Sequence, residues 1–256
     1  MRINTNVASL NGQKNLFETQ RQVDSSMAKL SSGLRISRAA DDAAGLSIAN
    51  KLRSSTRGLQ QASNNAQQAN AMLQIAEGSA TTIQKILERQ NELYIQSQST
   101  GNNSSVSSTL STEFSTLSSE IGRILDSTNY QGSSILGQNL TFQVADQASG
   151  STISVSIDLT ASNVSLGSIA SVSTQLDAVN SALATIGAAQ NRLDYTVSNL
   201  KTAIVNQQAA ESVIRDVDMA EEMTKYSKNN ILAQAGTSML AQANQSGQNI
   251  LSLLRG

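Results

Sequence analysis

The strongest constraint on the fold is a heptad pattern that runs without interruption from Leu52 to Tyr94. Its positions are Leu52, Ser55, Leu59, Ala62, Ala66, Ala69, Leu73, Ala76, Ala80, Ile83, Leu87, Gln90 and Tyr94. Spacings that alternate between three and four residues keep one seam of an α-helix facing a partner helix. The chain has no proline, which would cost a helix interior about 3 kcal/mol. We therefore expect one continuous helix roughly 65 Å long.

Two further segments repeat this spacing. The longer one contains Leu176, Val179, Leu183, Ile186, Gln190, Leu193, Val197, Leu200 and Ile204. The shorter one contains Val106, Leu110, Phe114, Leu117, Ile121 and Ile124. Three such helices can form a bundle. Gln90 and Gln190 fall on seam positions, where an amide either sets the helix register at some cost in stability or lies at the seam edge in water.

Between the helical patterns the period changes to two. Leu140, Phe142 and Val144 alternate with polar residues, and the same alternation recurs at Ile153, Val155, Ile157 and Leu159. Residues 146–151 between them are typical of a turn. This pattern predicts a β-hairpin, which needs to pack on the helices because an isolated hairpin is marginal in water.

Both ends of the chain carry thin amphipathic stripes. The first 35 residues place Ile3, Val7, Leu10, Phe17, Val23, Met27, Leu30 and Leu34 on helical stripes. Residues 214–254 do the same with Ile214, Val217, Met223, Tyr226, Leu232, Met239, Leu240, Ile250, Leu251 and Leu254. Since isolated helices are marginal without packing, we expect these ends to pair with each other and with copies of themselves. In a free monomer they should be largely disordered and fold on association.

Composition excludes most chemistry. The chain has no cysteine and no histidine, which removes disulfides, thiolate nucleophiles, Ser-His-Asp triads and Cys/His metal sites. The formal net charge is -1, so no basic surface for nucleic acid or anionic lipid is expected. No run of 18 apolar residues and no signal-peptide core is visible. We expect no catalytic residues, no metal, no cofactor, no nucleic-acid partner and no membrane partner.

Acidic residues cluster at two points. Asp41 and Asp42 are adjacent, so on a helix they would point to different sides, and capping or a bend is the favoured interpretation. A second cluster contains Asp216, Asp218, Glu221 and Glu222. Its spacing is not that of a calcium loop, which favours a solvated face or a junction between helices.

Two dense sequence signatures lie near the ends of the chain. The first reads Leu-Ser-Ser-Gly-Leu-Arg-Ile at 30–36, Ala-Ala-Asp-Asp-Ala-Ala-Gly-Leu-Ser-Ile-Ala at 39–49 and Arg-Gly-Leu-Gln-Gln-Ala at 57–62. The second reads Asp-Val-Asp-Met-Ala-Glu-Glu at 216–222 and Met-Leu-Ala-Gln-Ala-Asn-Gln at 239–245. Together they resemble bacterial flagellin over nearly the whole chain. Since the region around 130–170 has room for little more than a hairpin, a short form without the variable outer domains is expected.

The resemblance implies a mainly α fold. An elongated antiparallel helical coiled-coil bundle would carry a small β-hairpin region, and the terminal helices would pair into an inner coiled coil. Five segments follow from it. They are an N-terminal inner-core helix and linker (1–44), the N-terminal part of a helical shell domain (45–135), its β-hairpin region (136–170), its C-terminal part (171–210) and a C-terminal inner-core helix (211–256).

The resemblance also implies a structural subunit, and not an enzyme, that self-assembles into the flagellar filament, the extracellular propeller for swimming. Such subunits are secreted through the flagellar type III export route. Their partners would be other copies of the chain, an export chaperone, and the filament cap and hook–filament junction proteins. The expected self-assembly residues are Leu10, Phe17, Val23, Met27, Leu30, Leu34, Met239, Leu240, Ile250, Leu251 and Leu254. The alternatives are a hook–filament junction protein or a secreted coiled-coil translocator.

A final resemblance concerns Toll-like receptor 5. Flagellins that this innate receptor detects share a helix motif of the form Leu-x-Arg-x-x-Glu-Leu, which Leu87, Arg89, Glu92 and Leu93 match. Glu113 on the next helix corresponds to another contact. The alternative interpretation is structural: Leu87 is a seam position, and Arg89 and Glu92 are spaced to form a solvated ion pair.

Overall fold

A computed structural model describes residues 6–99, 103–145, 152–159 and 169–255, with side chains 169–170 and 246–255 excepted. Its elements are α1 (Val7–Ser32), α2 (Ala43–Ser97), α3 (Ser104–Ser127), β1 (Asn129–Tyr130), β2 (Ser133–Ser134), β3 (Gln138–Gln143), β4 (Thr152–Ile157), α4 (Ile169–Arg215) and α5 (Met219–Arg255). The expected mainly α fold with a small β region is confirmed. The chain forms two compact units, which we call the middle unit (55–206) and the terminal unit (1–54 and 207–256).

The middle unit is built on the α2 seam that the heptads predicted. Its seam positions Ala62, Ala66, Ala69, Leu73, Ala76, Ala80, Ile83, Leu87 and Gln90 are all buried. From α4, Val179, Ile186 and Leu193 join the same core. Polar pairs tie the two helices together at the edge of this core. Asn70 Nδ2 donates to Asp194 Oδ1 at 3.0 Å, and Gln190 Nε2 donates to Glu77 Oε2 at 2.9 Å.

Gln90 is a polar residue in a fully buried position. Its Nε2 donates to the Phe114 carbonyl oxygen at 3.2 Å and to Ser118 Oγ at 2.8 Å, which links α2 to α3. Its Oε1 has no hydrogen-bond partner among the described atoms. An amide at the seam edge would be exposed to water. Gln90 is buried, so it belongs to the core. Val106, which the periodicity assigned to the α3 stripe, is exposed in the first turn of that helix.

The predicted hairpin is present as β3 and β4. The strands pair antiparallel, with Leu140 opposite Val155 and Phe142 opposite Ile153. Ile153, Val155 and Ile157 are buried in the core of the middle unit. Packing on the helices therefore supports the hairpin, as expected for a two-stranded sheet. The turn predicted at 146–151 lies outside the described residues.

A second, shorter hairpin was not predicted from the sequence. Strands β1 and β2 pair through Asn129 with Ser134 and Tyr130 with Ser133. Between them Gln131 and Gly132 have φ values of 52° and 84°. Two consecutive residues with positive φ make the tight turn that suits the twist of a hairpin. Only its glycine signals this turn in the sequence, because glutamine rarely adopts positive φ.

The terminal unit contains α1, α5, the start of α2 and the end of α4. The loop after α1 meets the loop before α5 in an isolated antiparallel bridge between Leu34 and Asp216. Arg35 N–H donates to the Arg215 carbonyl at 2.7 Å, and Val217 N–H donates to the Gly33 carbonyl at 3.1 Å. These bonds join the two loops although about 180 residues separate them in the chain.

Aspartates organise both loops. Asp42 Oδ1 accepts from Gly45 N–H at 2.9 Å at the start of α2. Asp218 Oδ1 accepts from the N–H groups of Ala220 and Glu221 at the start of α5. These carboxylates cap the two helices.

Asp41 holds the loop that precedes α2. Its Oδ2 accepts from the N–H groups of Arg38 at 2.9 Å and Ser37 at 3.2 Å. Hydrogen bonds from Arg38 first, and then from Ser37, hold the pKa of Asp41 below its ordinary value because they favour the charged carboxylate.

Among the described segments, no helix is both long and apolar enough to cross a bilayer.

Candidate self-assembly site

Helices α1 and α5 pack against each other along matching stripes. On α1 the stripe of less exposed positions runs through 9, 12, 16, 19, 23, 26 and 30, and on α5 it runs through 222, 226, 229, 233, 236, 240 and 243. Two grooves of about 520 and 600 Å³ follow the contact. Gln13, Gln20, Asn230 and Thr237 are among the side chains that line them. A contact lined partly by amides and a hydroxyl buries little apolar surface, so the pair is weakly held by itself.

Two glycines let the helices approach closely. A Cβ added at Gly12 would lie 3.3 Å from Leu240 Cδ2, and one added at Gly236 would lie 3.3 Å from Leu16 Cδ1. Each helix therefore presents a leucine to a glycine of the other, four residues apart on both helices. This reciprocal fit specifies the register of the antiparallel pair, because a shift along either helix would bring each leucine against a side chain.

Hydrogen bonds fasten the first turn of α1 to α5. Asn6 caps α1 by accepting from Ser9 N–H at 3.1 Å, and its Nδ2 donates to the Ala243 carbonyl at 3.0 Å. Ser9 Oγ donates to Asn244 Oδ1 at 2.9 Å. Polar residues therefore hold the first turn of α1 against α5 beyond the residues that line the two grooves.

The described side chains of this helix pair include no buried apolar group. The middle unit buries large aliphatic side chains from α2, α3, α4 and β4. Within α1 and the described side chains of α5, by contrast, no apolar side chain is buried. Among those described side chains, the buried ones are Ser26 and Glu222. Two helices that pair without an apolar core present their apolar surface to water.

The sequence-predicted assembly residues divide into three groups. Leu10, Phe17, Met27 and Met239 are exposed, with Phe17 at 64%. Val23, Leu30, Leu34 and Leu240 are half-buried in the terminal unit. Ile250, Leu251 and Leu254 have side chains outside the described residues. The exposed group is the one that a further copy could cover.

Sequence reasoning missed several residues of this surface. Leu16 and the two glycines that fit the facing leucines were not selected, and neither were the exposed Met219 and Ile231. The signal for Leu16 was its place in the three–four spacing with positions 12, 19 and 23. The glycines had a signal in being helix-interior residues, where glycine costs stability and so often marks a close approach.

The acidic residues meet in a pocket of about 690 Å³ at the loop junction. Its lining mixes Asp41, Asp42, Asp216, Asp218, Glu221 and Glu222 with the basic Lys29, Arg35 and Lys225. Lys225 Nζ lies 2.7 Å from Glu221 Oε1. Over the part of the chain that the structure describes, no group of three or more His, Cys, Asp or Glu side chains could hold a metal ion. The cluster is a charged junction between loops.

The residues of the predicted receptor site are placed differently from one another. Leu87 and Leu93 are buried in the middle unit. Arg89 is half exposed and binds two acids: its Nη1 lies 2.9 Å from Glu92 Oε2, and its Nη2 lies 3.0 Å from Glu113 Oε1. Hydrogen bonds to Glu92, and then to Glu113, raise the pKa of Arg89. The structure therefore brings the three charged residues together on the surface and turns the leucines inward.

Comparisons with known proteins cover nearly the whole chain. The family model of the bacterial flagellin N-terminal helical region matches residues 3–141, and that of the C-terminal helical region matches residues 169–254. A flagellin of Halalkalibacterium halodurans is 42% identical, and a flagellin of Bacillus subtilis is 39% identical, each over the full length of both chains. The 33 kDa flagellar filament core protein of Treponema phagedenis is 38% identical over the same full coverage.

A crystal structure of Bacillus cereus flagellin matches at 25% identity with a TM-score of 0.41, over 56% of this chain and 88% of that one. The N- and C-terminal family models leave only 27 residues between them, at 142–168. Full-length agreement with short relatives confirms the expected short form. The two family models and the full-length relatives show that the chain belongs to the bacterial flagellin family.

Proposed function

We propose that this subunit polymerises by burying the exposed apolar side chains of α1 and α5 against the same two helices of other copies. Flagellins are the structural subunits of the flagellar filament, and so is this chain. The filament of its relatives is extracellular and forms by self-polymerisation. The exposed apolar side chains of α1 and α5 are the surface responsible, and their removal from water is the driving force.

One observation carries the proposal: α1 and α5 pair, yet neither contributes a buried apolar side chain among those described. Leu10, Phe17, Ile231, Leu232 and Met239 are all exposed. Covering this surface would contribute about 25 cal/mol for each Å² removed from water. It would also offset the entropy lost when thin helices become ordered. A contact repeated from one copy to the next without closing a ring produces an open helical polymer.

Seeded elongation tests the proposal. The full chain and a variant that lacks residues 1–40 and 215–256 are mixed with short filament fragments and observed by electron microscopy. We expect the full chain to extend the seeds into micrometre filaments and the shortened chain to remain monomeric. Because the deletion leaves residues 55–206 intact, circular dichroism of the shortened chain checks that the middle unit stays helical. Elongation by the shortened chain would refute the role of the terminal helices.

The exposed surface of α5 also suits an export chaperone. Ile231, Leu232 and Met239 are apolar and accessible, and an unassembled subunit with such a surface is prone to association. A chaperone that covers them before export would prevent premature polymerisation. Ile231→Ser with Leu232→Ser should weaken chaperone binding at least tenfold by calorimetry, whereas Val106→Ser, an exposed position on α3, should not. The filament cap and the junction protein would contact the same terminal surfaces at the two ends of the polymer.

For Toll-like receptor 5 the proposal rests on charge. Arg89, Glu92 and Glu113 form a contiguous exposed group across α2 and α3, which a receptor can contact by charged hydrogen bonds. Leu87 and Leu93 would act indirectly, by packing the helix that presents Arg89. Arg89→Ala should reduce receptor signalling by purified monomer at least tenfold. Arg123→Ala is the matched control, since Arg123 is an exposed arginine paired with Glu120 on α3. Equal signalling by both variants would contradict the assignment.

A further inference from the structure

Methionines are distributed unevenly over the molecule. Met27, Met219, Met223 and Met239 all belong to the terminal unit and are 48 to 70% exposed. Met72, in the middle unit, is partly buried against its core. Methionine is ordinarily a core residue that fills irregular gaps. Four thioether groups held in water on one unit are therefore unusual.

Their position matters for assembly. Met27 lines the groove between α1 and α5 together with Tyr226. Met219 and Met223 lie seven and three residues before Tyr226 on α5, a spacing that places them on the same side of the helix. Met239 precedes Leu240, the residue that fits against Gly12. Each methionine thus lies on or beside the surface that the proposed polymer covers.

The composition leaves these thioethers with few competitors for an oxidant. The chain contains no cysteine, no histidine and no tryptophan. A peroxide oxidises thiols and thioethers by two electrons, so in this chain exposed methionines are the most accessible targets. The described methionines that meet this condition are the four on the terminal unit.

We propose that Met27, Met219, Met223 and Met239 form a peroxide-sensitive modification site that decides whether a subunit can polymerise. The inference rests on the proposed assembly surface. In the reaction a thioether sulfur forms an S–O bond to one oxygen of hydrogen peroxide while the O–O bond breaks. The displaced hydroxide takes the proton of the transferred hydroxyl group and leaves as water. The sulfur is oxidised by two electrons to the sulfoxide, and the peroxide is reduced.

The physical consequence is a change in the cost of burial. A thioether gains free energy when it leaves water, whereas a sulfoxide is polar and loses its water hydrogen bonds when apolar side chains cover it. An oxidised free subunit is consequently excluded from the filament. In the filament the same sulfur atoms are covered, so an assembled subunit is protected. Methionine sulfoxide reductases reverse the modification, which makes the block reversible in a free subunit.

The test compares each chain with its own untreated sample. Monomers are treated with hydrogen peroxide, the peroxide is removed, and the critical concentration for seeded elongation is measured. For the natural chain we expect that concentration to rise at least tenfold, and to return after incubation with the two methionine sulfoxide reductases. In a variant with leucine at all four positions, the critical concentration after peroxide treatment should stay within twofold of the untreated value. The Met72→Leu variant, which keeps the four exposed thioethers, should behave like the natural chain.

Peptide mass spectrometry supplies a readout that does not depend on polymerisation. The four exposed methionines of the monomer should gain an oxygen atom faster than Met72, and more slowly once the chain is in filaments. If all four are oxidised and elongation is unchanged, the inference is overturned while the assembly proposal stands. If the shortened chain without terminal helices extends seeds as well as the full chain, the assembly proposal fails and the inference falls with it.

Discussion

Replacing Phe17 with alanine isolates the contribution of one exposed side chain to polymerisation. Phe17 is 64% exposed and lines the groove beside Leu16. A fully enclosed aromatic side chain buries about 200 Å², so about 130 Å² of Phe17 is left to cover. Allowing for the area that alanine retains, the loss is roughly 100 Å², or about 2.5 kcal/mol of polymer contact. At tenfold for each 1.4 kcal/mol, the critical concentration should rise about 60-fold.

The assay is sedimentation of filaments grown from seeds at increasing monomer concentration. Because Phe17 is exposed in the free subunit, the thermal unfolding of the monomer should hardly change. Tyr195→Ala is the matched control, since Tyr195 is an aromatic residue of the middle unit that is 79% exposed. A Phe17→Ala chain that polymerises within threefold of the natural critical concentration would refute the reasoning that this surface becomes buried.

Three further predictions concern stability and pH. Gly78→Ala should stabilise the middle unit by about 0.5 to 1 kcal/mol, because a Cβ added at Gly78 meets nothing within 4 Å. Gly236→Ala should stabilise the protein less, because its added Cβ would lie 3.3 Å from Leu16. Equal gains in thermal unfolding would contradict this. Gln90→Met should change the free energy of unfolding in urea by less than about 1 kcal/mol, since it keeps the side-chain volume and removes an unsatisfied oxygen. Gln90→Ala should lower that free energy by about 2 kcal/mol or more, because it leaves a cavity. Similar costs for both variants would show that the hydrogen bonds of the amide dominate. The backbone bonds that lower the pKa of Asp41 stabilise the fold above the unfolded pKa of about 3.9, and that contribution is lost as the pH falls through the lower folded value. The stability difference between the natural chain and Asp41→Asn should therefore shrink in acid, and a difference that grows in acid would reverse the assignment.

Periodicity was a sound guide where a seam meets a partner along its whole length. The α2 seam positions from Ala66 to Leu87 are buried as the heptad requires, because they share one core with side chains of α3, α4 and the hairpin. Val106 shows the limit of the argument. A stripe specifies the face of a helix, but it does not say how far along the axis the partner extends, so a residue in the first turn can stay exposed.

The candidate site was less accessible to sequence reasoning. The stripes identified α1 and α5 as amphipathic, but the fit of Leu16 against Gly236 joins residues more than 200 positions apart. No local pattern carries that register. The receptor motif shows a related limit, because a linear motif cannot separate the exposed Arg89 from the buried Leu87 and Leu93. That separation depends on which helices pack on α2.

Helical reconstruction of the filament by electron cryo-microscopy tests the central claim most directly. The measurement is the accessible area of Leu10, Phe17, Met27 and Met239 in the polymer compared with the free subunit, where all four are exposed. The account predicts that these side chains become buried against α1 and α5 of neighbouring copies. If they stay exposed, and the copies contact one another only through their middle units, the account is contradicted.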